Sequence, residues 1–248
     1  MVKDSPVISI SNVLTGYRKS GVKNAVAAFR GLDFFAGDFV AVVGSNGVGK
    51  STLLRTICGL LPPLEGEVIL DGKRLRDITA AELSTKIAIV LTQRVGGFNL
   101  KVRDAVAAGQ MPYTDAFHRM RPQNWSVVQE MLGRCGIADA GNLLLNELSD
   151  GMFQKTMIAR ALAQQTGALL LDEPSAYLDY ASKHQLFMLL GELAQSANKC
   201  VLISTHELDL ALRYCSRMLV MGAEGSRLLT VEDAKNDAAF MKMTGGYL

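Results

Sequence analysis

A glycine-rich segment between two apolar stretches carries the clearest chemical signal in this sequence. Residues 44–51 read Gly-Ser-Asn-Gly-Val-Gly-Lys-Ser, which fits the spacing G-x-x-x-x-G-K-[ST] of a phosphate-binding loop. The β-branched run at residues 39–43 predicts a buried strand before the loop, and residues 51–58 predict a helix that ends at Gly59. Strand and helix would aim backbone N–H groups and the positive end of a helix at one point, which predicts a phosphate site.

The side chains of this loop suit a nucleotide and a magnesium ion. We expect Lys50 to reach the β- and γ-phosphates, and we expect the Ser51 hydroxyl to bind Mg²⁺. The alternative is a glycine-rich turn that binds no ligand. The expected nucleotide contacts of the loop are Gly44, Ser45, Asn46, Gly47, Val48, Gly49, Lys50, Ser51 and Thr52.

Two acids follow an apolar run later in the chain. Residues 168–171 predict a buried strand, and Asp172 and Glu173 come directly after them. Because ligands of open α/β sheets bind at the carboxyl ends of the strands, Asp172 should meet the Mg²⁺ placed by Ser51, directly or through water. Glu173 should orient or deprotonate the water that attacks the γ-phosphate. The alternative is that both acids cap the following helix.

Two further polar residues follow predicted strands and obey the same rule. Gln93 comes after the strand at residues 86–91, and His206 comes after the strand at residues 201–205. A single glutamine in a loop is usually solvated, and a single histidine is usually structural. Neither residue indicates a site without the acids and the phosphate loop.

The composition limits the classes of protein to consider. A chain of 248 residues with 49% hydrophobic residues and a mean hydropathy of +0.18 suits an α/β domain whose parallel sheet is buried on both faces. A net charge of +2 indicates no nucleic-acid surface. Four scattered cysteines without a C-x-x-C pair favour buried, reduced thiols over disulfides or zinc.

Neither a signal peptide nor a membrane span is expected. Asp4 and Pro6 stand where a signal peptide needs an apolar run, and no stretch approaches the ~18 apolar residues of a membrane-spanning helix. We therefore expect a chain that is soluble or held at a membrane by a partner.

Strand-like and helix-like stretches alternate, which predicts a mostly parallel sheet. We also expect an antiparallel β part at the N-terminus. Residues 102–163 are mainly helical in pattern, with Trp125 predicted in a helical core. We expect a single domain over 1–248, with an α/β nucleotide-binding core at 1–92 and 164–248 and an inserted helical subdomain at 93–163. A last helix is predicted at residues 231–243.

Taken in order, these motifs resemble the nucleotide-binding subunits of ATP-binding cassette (ABC) transporters, from Tyr17 to His206. The loop at 44–51 is similar to the Walker A motif of that family, and residues 169–173 are similar to its Walker B motif. The resemblance implies that Tyr17 stacks on the adenine of ATP and that His206 contacts the γ-phosphate. It also implies that Gln93 contacts Mg²⁺ and the attacking water and faces a membrane partner.

Residues 148–152, Leu-Ser-Asp-Gly-Met, resemble the family signature LSGGQ, and residues 175–179 resemble its D-loop. The resemblance implies that Ser149 and Gly151 cap the γ-phosphate of ATP bound to a second copy of the chain. Two copies would close head-to-tail over two ATP molecules, and the helix start at the signature would supply a second anion site. The alternative for this segment is an ordinary Ser/Asp helix cap.

The signature departs from the family pattern at two positions. Asp150 replaces glycine and Met152 replaces glutamine. A carboxylate beside a γ-phosphate would repel it, whereas aspartate is favourable at a helix start. We expect Asp150 to point away from the nucleotide and to stabilise the helix. Because Glu173 and His206 are both present, a homodimer should have two competent sites.

The resemblance extends to importer subunits that work with separately encoded permeases. The segment at 102–113 is similar to the group that imports iron–siderophores, haem and cobalamin, although Gln110 and Met111 replace the arginine and aromatic residue common there. The alternative is a plain helix end at Gly109 with a proline stop. A further alternative is a soluble ABC ATPase, such as one that acts in iron–sulfur cluster assembly.

The importer reading implies several partners. The chain would bind transmembrane permease subunits at the cytoplasmic side of the inner membrane, and it would work indirectly with a solute-binding protein. The contact surface should lie between residues 93 and 121, although its apolar side chains could equally pack under the loop. Those side chains are Val95, Phe98, Leu100 and Tyr113.

Overall fold

The computed structural model describes residues 5–19, 21–91, 99–222 and 225–243. Two sheets and the helices packed around them make up these ranges. The described strands are β1 Ile8–Lys19, β2 Val22–Phe29, β3 Leu32–Phe34, β4 Phe39–Gly44, β5 Glu65–Leu70, β6 Lys73–Arg74, β7 Ile87–Val90, β8 Ala168–Asp172, β9 Cys200–Ser204, β10 Arg217–Gly222 and β11 Gly225–Thr230. The described helices are α1 Lys50–Ile57, α2 Ala80–Lys86, α3 Val102–Ala107, α4 Pro122–Arg134, α5 Asp150–Ala163, α6 Tyr180–Gln195, α7 Leu208–Tyr214, α8 Val231–Lys235 and α9 Ala238–Met243.

The larger sheet positions the candidate site. Its strand order is β11-β10-β4-β9-β8-β7, and all neighbouring pairs are parallel except the antiparallel pair of β11 and β10. The smaller sheet is antiparallel, with the order β2-β1-β5-β6 and with β3 paired to β1. The predicted α/β fold, with a mostly parallel sheet and an N-terminal antiparallel part, is confirmed.

The parallel sheet is buried on both faces, as its continuous apolar strands predict. In β4, Val40 and Val42 pack into one cluster with α1 and the antiparallel sheet. The alternate residues Phe39, Ala41 and Val43 pack into a second cluster with α3 to α7. Helices α1 and α5 therefore cover opposite faces of the same sheet, which bears directly on the candidate site.

The segment between β7 and β8 is helical in the described part. Helices α3, α4 and α5 pack on one another, and a 3₁₀ segment at Ala108–Tyr113 follows α3. Trp125, predicted in the core of this region, is instead 37% exposed, while Val128 and Leu132 on the same helix are fully buried. The helix turns its Val128 and Leu132 side toward the core and leaves the indole at the edge.

The sequence patterns did not predict strands β2 and β11 or the break between helices α8 and α9. Strand β2 is mostly exposed and β11 is a half-buried edge strand, so neither shows the apolar alternation that predicts a strand. The single helix predicted at 231–243 is wrong, because α8 ends before Asp237 and the Asp237 carboxylate accepts the Phe240 N–H at the start of α9. Within the described ranges, no helix combines the length and apolarity needed to cross a bilayer.

Candidate active site

The glycine-rich loop connects the end of β4 to the start of α1. Gly47 and Gly49 have φ angles of 79° and 108°, which L side chains rarely adopt. A Cβ at Gly44 would lie 2.6 Å from the Met221 carbonyl oxygen, so β10 also requires a glycine there. The loop is therefore fixed at its base, while its tip at residues 45–47 is exposed.

Lys50 is the charged residue of the loop at 44–51, and 5% of its surface is exposed. Its Nζ donates a hydrogen bond to the Gly44 carbonyl at 2.9 Å and lies 3.9 Å from Glu173 Oε1. The His206 Nε2 atom is 3.3 Å from the same Nζ. Burial lowers the pKa of Lys50, and the charges of Glu173 and Asp172 partly oppose that shift.

A hydroxyl and a carboxylate meet beside Lys50. Ser51 Oγ donates to Asp172 Oδ1 at 2.9 Å, and Ser204 Oγ donates to the same oxygen at 2.7 Å. Asp172 ends β8 and Ser204 ends β9, and the two residues are register partners. Ser51 and Asp172 supply the hard oxygen atoms that Mg²⁺ prefers in nucleotide sites, so this donor set fits the expected ion.

Glu173 and His206 form a second pair at the same edge of the sheet. His206 Nε2 lies 3.0 Å from Glu173 Oε1, and the Glu173 side chain is 34% exposed. Glu173 has a φ of 46°, a left-handed conformation that costs a non-glycine residue on the order of 1 kcal/mol. The Glu173 carboxylate lies beside the phosphate loop, with its Oε1 atom 3.9 Å from Lys50 Nζ.

Tyr17 lies next to the start of α1. Its hydroxyl is 3.4 Å from Thr52 Oγ1, and 44% of the residue is exposed. Strand β2 shields the loop on this side, since a Cβ at Gly49 would lie 2.8 Å from Val26 Cγ1. The phenol ring therefore stands beside the loop with one part free to contact a ligand.

Ser149 and Gly151 lie in another layer of the molecule. Ser149 is the N-cap of α5, and its Oγ accepts the Met152 N–H at 3.3 Å. A Cβ on Gly151 would lie 3.0 Å from the Tyr177 carbonyl oxygen, so this helix start packs closely on the segment after β8. Because α5 and α1 cover opposite faces of the sheet, one chain does not place the signature on its own phosphate loop.

The predicted site residues thus fall into groups. The structure brings Lys50, Ser51, Asp172, Glu173 and His206 together, with Tyr17 and Thr52 beside them. Gln93 lies outside the described residues. Ser204 was not predicted, although a serine at the end of the apolar run of β9 is a signal that could have identified it.

This geometry defines a class, the P-loop nucleotide hydrolases, in which phosphates bind between a glycine-rich loop and the carboxyl ends of parallel strands. Comparison with known proteins narrows the class to one family. Residues 31–176 match the ABC transporter family. The chain therefore belongs to the ABC transporter family, and it is an ATPase.

Named relatives include two transport ATP-binding proteins. FepC of Escherichia coli, a ferric enterobactin transport ATP-binding protein, is 34% identical over 185 residues, which are 75% of this chain and 68% of FepC. BtuD of Halobacterium salinarum, a cobalamin import ATP-binding protein, is 38% identical over 185 residues, but these span only 46% of BtuD. Among solved structures, the dimeric ABC cassette MJ0796 bound to ADP and Pi is 27% identical with a TM-score of 0.79, over 90% of this chain and 98% of that one.

Proposed function

We propose that this chain is the ATP-hydrolysing subunit of an importer that moves a metal chelate, such as an iron–siderophore, haem or cobalamin, through a separate permease. The similarity to FepC, over 75% of this chain, carries the transport part of the proposal. The paired groups at the carboxyl edge of the parallel sheet support the hydrolytic part.

The binding of ATP is assigned to the phosphate loop and its neighbours. Lys50 would move its charge from the Gly44 carbonyl to the β- and γ-phosphates, and Tyr17 would contact the base. Ser51, Asp172 and Gln93 would hold Mg²⁺, which neutralises charge on the phosphate oxygens when it is bound. Burial of Lys50 strengthens its attraction to a phosphate, because less water screens the charge.

Hydrolysis is assigned to Glu173 and His206. Glu173 would accept a proton from, or orient, the water that attacks the γ-phosphate. His206 at 3.0 Å holds the Glu173 carboxylate and is close enough to Lys50 to reach the same phosphate. Glu173 follows β8 and His206 follows the neighbouring strand β9. A shift of the backbone at the end of either strand would therefore change the distance between the two side chains.

A second copy of the chain would complete each site. Ser149 and Gly151 begin a helix of 14 residues on the layer opposite to α1, so their anion-binding end is available to another chain's ATP. MJ0796 forms a dimer with ADP and Pi bound. We propose the same kind of head-to-tail homodimer here, with Mg²⁺ and ATP at each of two sites.

The substrate class rests on the relatives more than on the segment at 108–113. Gln110, which stands where the siderophore group commonly has arginine, is 1% exposed, and its side-chain oxygen accepts a hydrogen bond from Asn124 at 2.8 Å. A side chain buried in this way stabilises the fold and is not exposed to contact a permease. The replacement therefore does not argue against a metal-chelate importer.

The function is tested by uptake in cells that lack this chain. Labelled iron–siderophore, haem and cobalamin are supplied in turn, and the deletion strain is complemented with wild type or with Glu173→Gln. We expect uptake of one chelate to fail in the deletion strain and to return only with wild type. Normal uptake of all three, with no redundant importer, would contradict the assigned substrate class, and absence of a co-purifying permease would favour the soluble ATPase.

A further inference from the structure

Ser204 is the one polar residue of strand β9, which reads Cys-Val-Leu-Ile-Ser. The residue is fully buried, and its strand runs between β4 and β8. A hydroxyl in such a place costs stability unless it is hydrogen-bonded. Its partners therefore indicate why a serine stands there.

The Ser204 hydroxyl contacts both acids of the candidate site. Its Oγ donates to Asp172 Oδ1 at 2.7 Å and accepts the backbone N–H of Glu173 at 2.9 Å. A hydroxyl can donate one hydrogen bond and accept others from a single atom, so the two contacts are compatible. An apolar side chain at this position would lose both.

The geometry points to Ser204 as a positioning residue for Mg²⁺-dependent ATP hydrolysis, one that fixes the Asp172 carboxylate and the Glu173 backbone at once. This inference rests on the proposed roles of Asp172 and Glu173. Ser204 contacts neither the nucleotide nor the ion in this assignment, because it acts through the two acids.

At Asp172, the contact restricts rotation of the carboxylate. Ser51 and Ser204 both donate to Oδ1, so the carboxylate is held by one hydroxyl from α1 and one from β9. The contact from Ser51 must rearrange when that hydroxyl binds the ion. The contact from Ser204 involves no group assigned to the ion, so it would persist and would keep the carboxylate in the orientation seen here.

At Glu173, the contact supports a strained backbone. The residue has a φ of 46°, and its N–H is held by the Ser204 carbonyl at 3.1 Å as well as by the Ser204 hydroxyl at 2.9 Å. A strained conformation persists only where surrounding contacts over-determine it. Ser204 supplies two such contacts, so it also sets where the Glu173 carboxylate points.

The test compares Ser204→Thr with Ser204→Val, two side chains of the same shape of which only threonine has a hydroxyl. The first readout is the Mg²⁺ concentration that half-saturates binding of a fluorescent, non-hydrolysable ATP analogue. We expect the valine variant to need about 10-fold more Mg²⁺ and to lose kcat by about 10-fold, since outer-shell partners of metal ligands typically have effects of this size. Binding of the analogue in EDTA should stay at the wild-type level, and the threonine variant should stay near wild type in all three measurements.

Thr166→Val is the matched control. Thr166 is 3% exposed and its hydroxyl donates to the Ala168 carbonyl at 2.7 Å, at the opposite end of β8 from Asp172. We expect this variant to lose a buried hydroxyl without a change in Mg²⁺ requirement. A Mg²⁺ requirement raised as much in Thr166→Val as in Ser204→Val would overturn the proposal, as would a wild-type requirement and kcat in Ser204→Val.

Two additional variants separate the remaining outcomes. If the methyl group of threonine impairs binding as much as valine does, Ser204→Ala removes the hydroxyl without added bulk: a raised Mg²⁺ requirement with normal binding in EDTA supports the proposal, and a wild-type requirement refutes it. Asp172→Asn and Glu173→Gln test the underlying roles. Unchanged Mg²⁺-dependent hydrolysis in both would contradict the proposed function itself rather than the role of Ser204.

Discussion

At the scale of single residues, the positive charge of Lys50 is nearly buried among polar groups of the proposed phosphate site. Its ammonium is held by one carbonyl, with Glu173 Oε1 at 3.9 Å, and burial lowers its pKa. The carboxylates of Glu173 and Asp172 counteract that shift and favour the charged form. Under the proposed function, a phosphate in the loop would offer Lys50 a stronger partner than the carbonyl of Gly44, because both partners would be charged.

Lys50→Ala should therefore weaken ATP binding by about 100-fold or more, since hydrogen bonds to charged groups contribute roughly 1.5–3 kcal/mol each. Binding of a fluorescent ATP analogue measures the loss, and dimer closure and transport should fail with it. Lys199→Met is the control, because burial also lowers the pKa of Lys199 but its Nζ donates to the Thr166 carbonyl, away from the loop. A Lys50→Ala protein that still transports would contradict the assignment.

The sequence predicts most residues of this cluster, because the rule that ligands bind at the carboxyl ends of parallel strands applies to them. Asp172, Glu173 and His206 each follow a recognisable apolar run, and parallel strands bring their carboxyl ends to one edge. Ser204 lies inside such a run, where a small polar residue resembles a tolerated core position. Only the register of β8 and β9, which is a long-range property, reveals its contact with Asp172.

At the scale of elements, helix α5 is held at both ends by side chains. Ser149 caps its N-terminus and Asp150 stands exposed in its first turn. At its C-terminus, the carbonyls of Ala163 and Gln164 accept hydrogen bonds from Gln110 and Tyr113. The 3₁₀ segment after α3 therefore provides hydrogen-bond donors to the last carbonyls of α5 and fixes its C-terminal end.

Asp150→Gly should lower the stability of the protein and should not greatly increase its ATPase activity. An acid in the first turn of a helix contributes about 0.3–1 kcal/mol, and glycine costs about 1 kcal/mol as a helix residue. Urea denaturation measures the first effect, and steady-state ATPase assays measure the second. An increase in ATPase activity by orders of magnitude would show that the carboxylate faces the nucleotide after all.

Gln110→Ala should destabilise the protein by about 1–3 kcal/mol, because it leaves buried polar groups of Asn124 and Ala163 without their partner. Tyr113→Phe, which removes one half-exposed hydroxyl bond to the Gln164 carbonyl, should cost about 1 kcal/mol or less. Thermal and urea unfolding report both changes. Equal losses of stability would show that the buried hydrogen bonds of Gln110 do not stabilise the protein more than the hydrogen bond of the Tyr113 hydroxyl does.

Element boundaries were predictable where a local signal exists. Strand β4 and helix α1 follow from their apolar patterns, whereas β2 needed its contact with β1 to be identified, since most of its residues are exposed. The break between α8 and α9 depends on the contacts of Asp237 with Phe240 and Arg227. Contacts of this kind override a helical pattern that is otherwise continuous.

At the scale of the whole molecule, the four cysteines are all free thiols, and three of them are buried. Burial raises the pKa of Cys135 to about 12 and raises the pKa values of Cys58, Cys200 and Cys215 as well. The sequence predicted buried, reduced thiols from the scattered spacing of these residues. The stability of the fold therefore depends on packing and not on disulfides.

Native protein should react slowly with iodoacetamide at pH 8, because the thiolate is the reactive form and a thiol of pKa about 12 is ionised only to roughly one part in 10⁴. Unfolded chain should react at least about 100-fold faster, since a free thiol has a pKa near 8.5. Mass spectrometry of alkylated peptides with and without urea measures the ratio. Fast native alkylation at Cys200 would contradict the packing of β9.

The fold class and the cluster of Lys50, Ser51, Asp172, Glu173 and His206 could be predicted from sequence, but the exposed apolar surface between residues 99 and 121 could not. A phosphate loop has a fixed spacing, whereas an interface depends on which side chains the fold leaves exposed. Between residues 99 and 121 the structure leaves four large apolar side chains at least 37% exposed, namely Leu100, Met111, Tyr113 and Phe117. Of the four residues expected from the sequence, Leu100 and Tyr113 are among these, while Val95 and Phe98 lie outside the described residues. Phe117, which the sequence did not indicate, is 77% exposed.

Phe117→Asp should abolish ATP-driven uptake while the isolated subunit keeps its ATPase activity, because a charge placed in an apolar contact with a permease must be desolvated without a partner. Uptake in complemented cells and ATPase assays of purified protein are the two measurements. Leu60→Asp is the matched control, since Leu60 is also apolar and 60% exposed but lies three residues after the end of α1, outside the 99–121 segment. Full uptake with Phe117→Asp, or an equal loss with Leu60→Asp, would place the coupling surface elsewhere on the molecule.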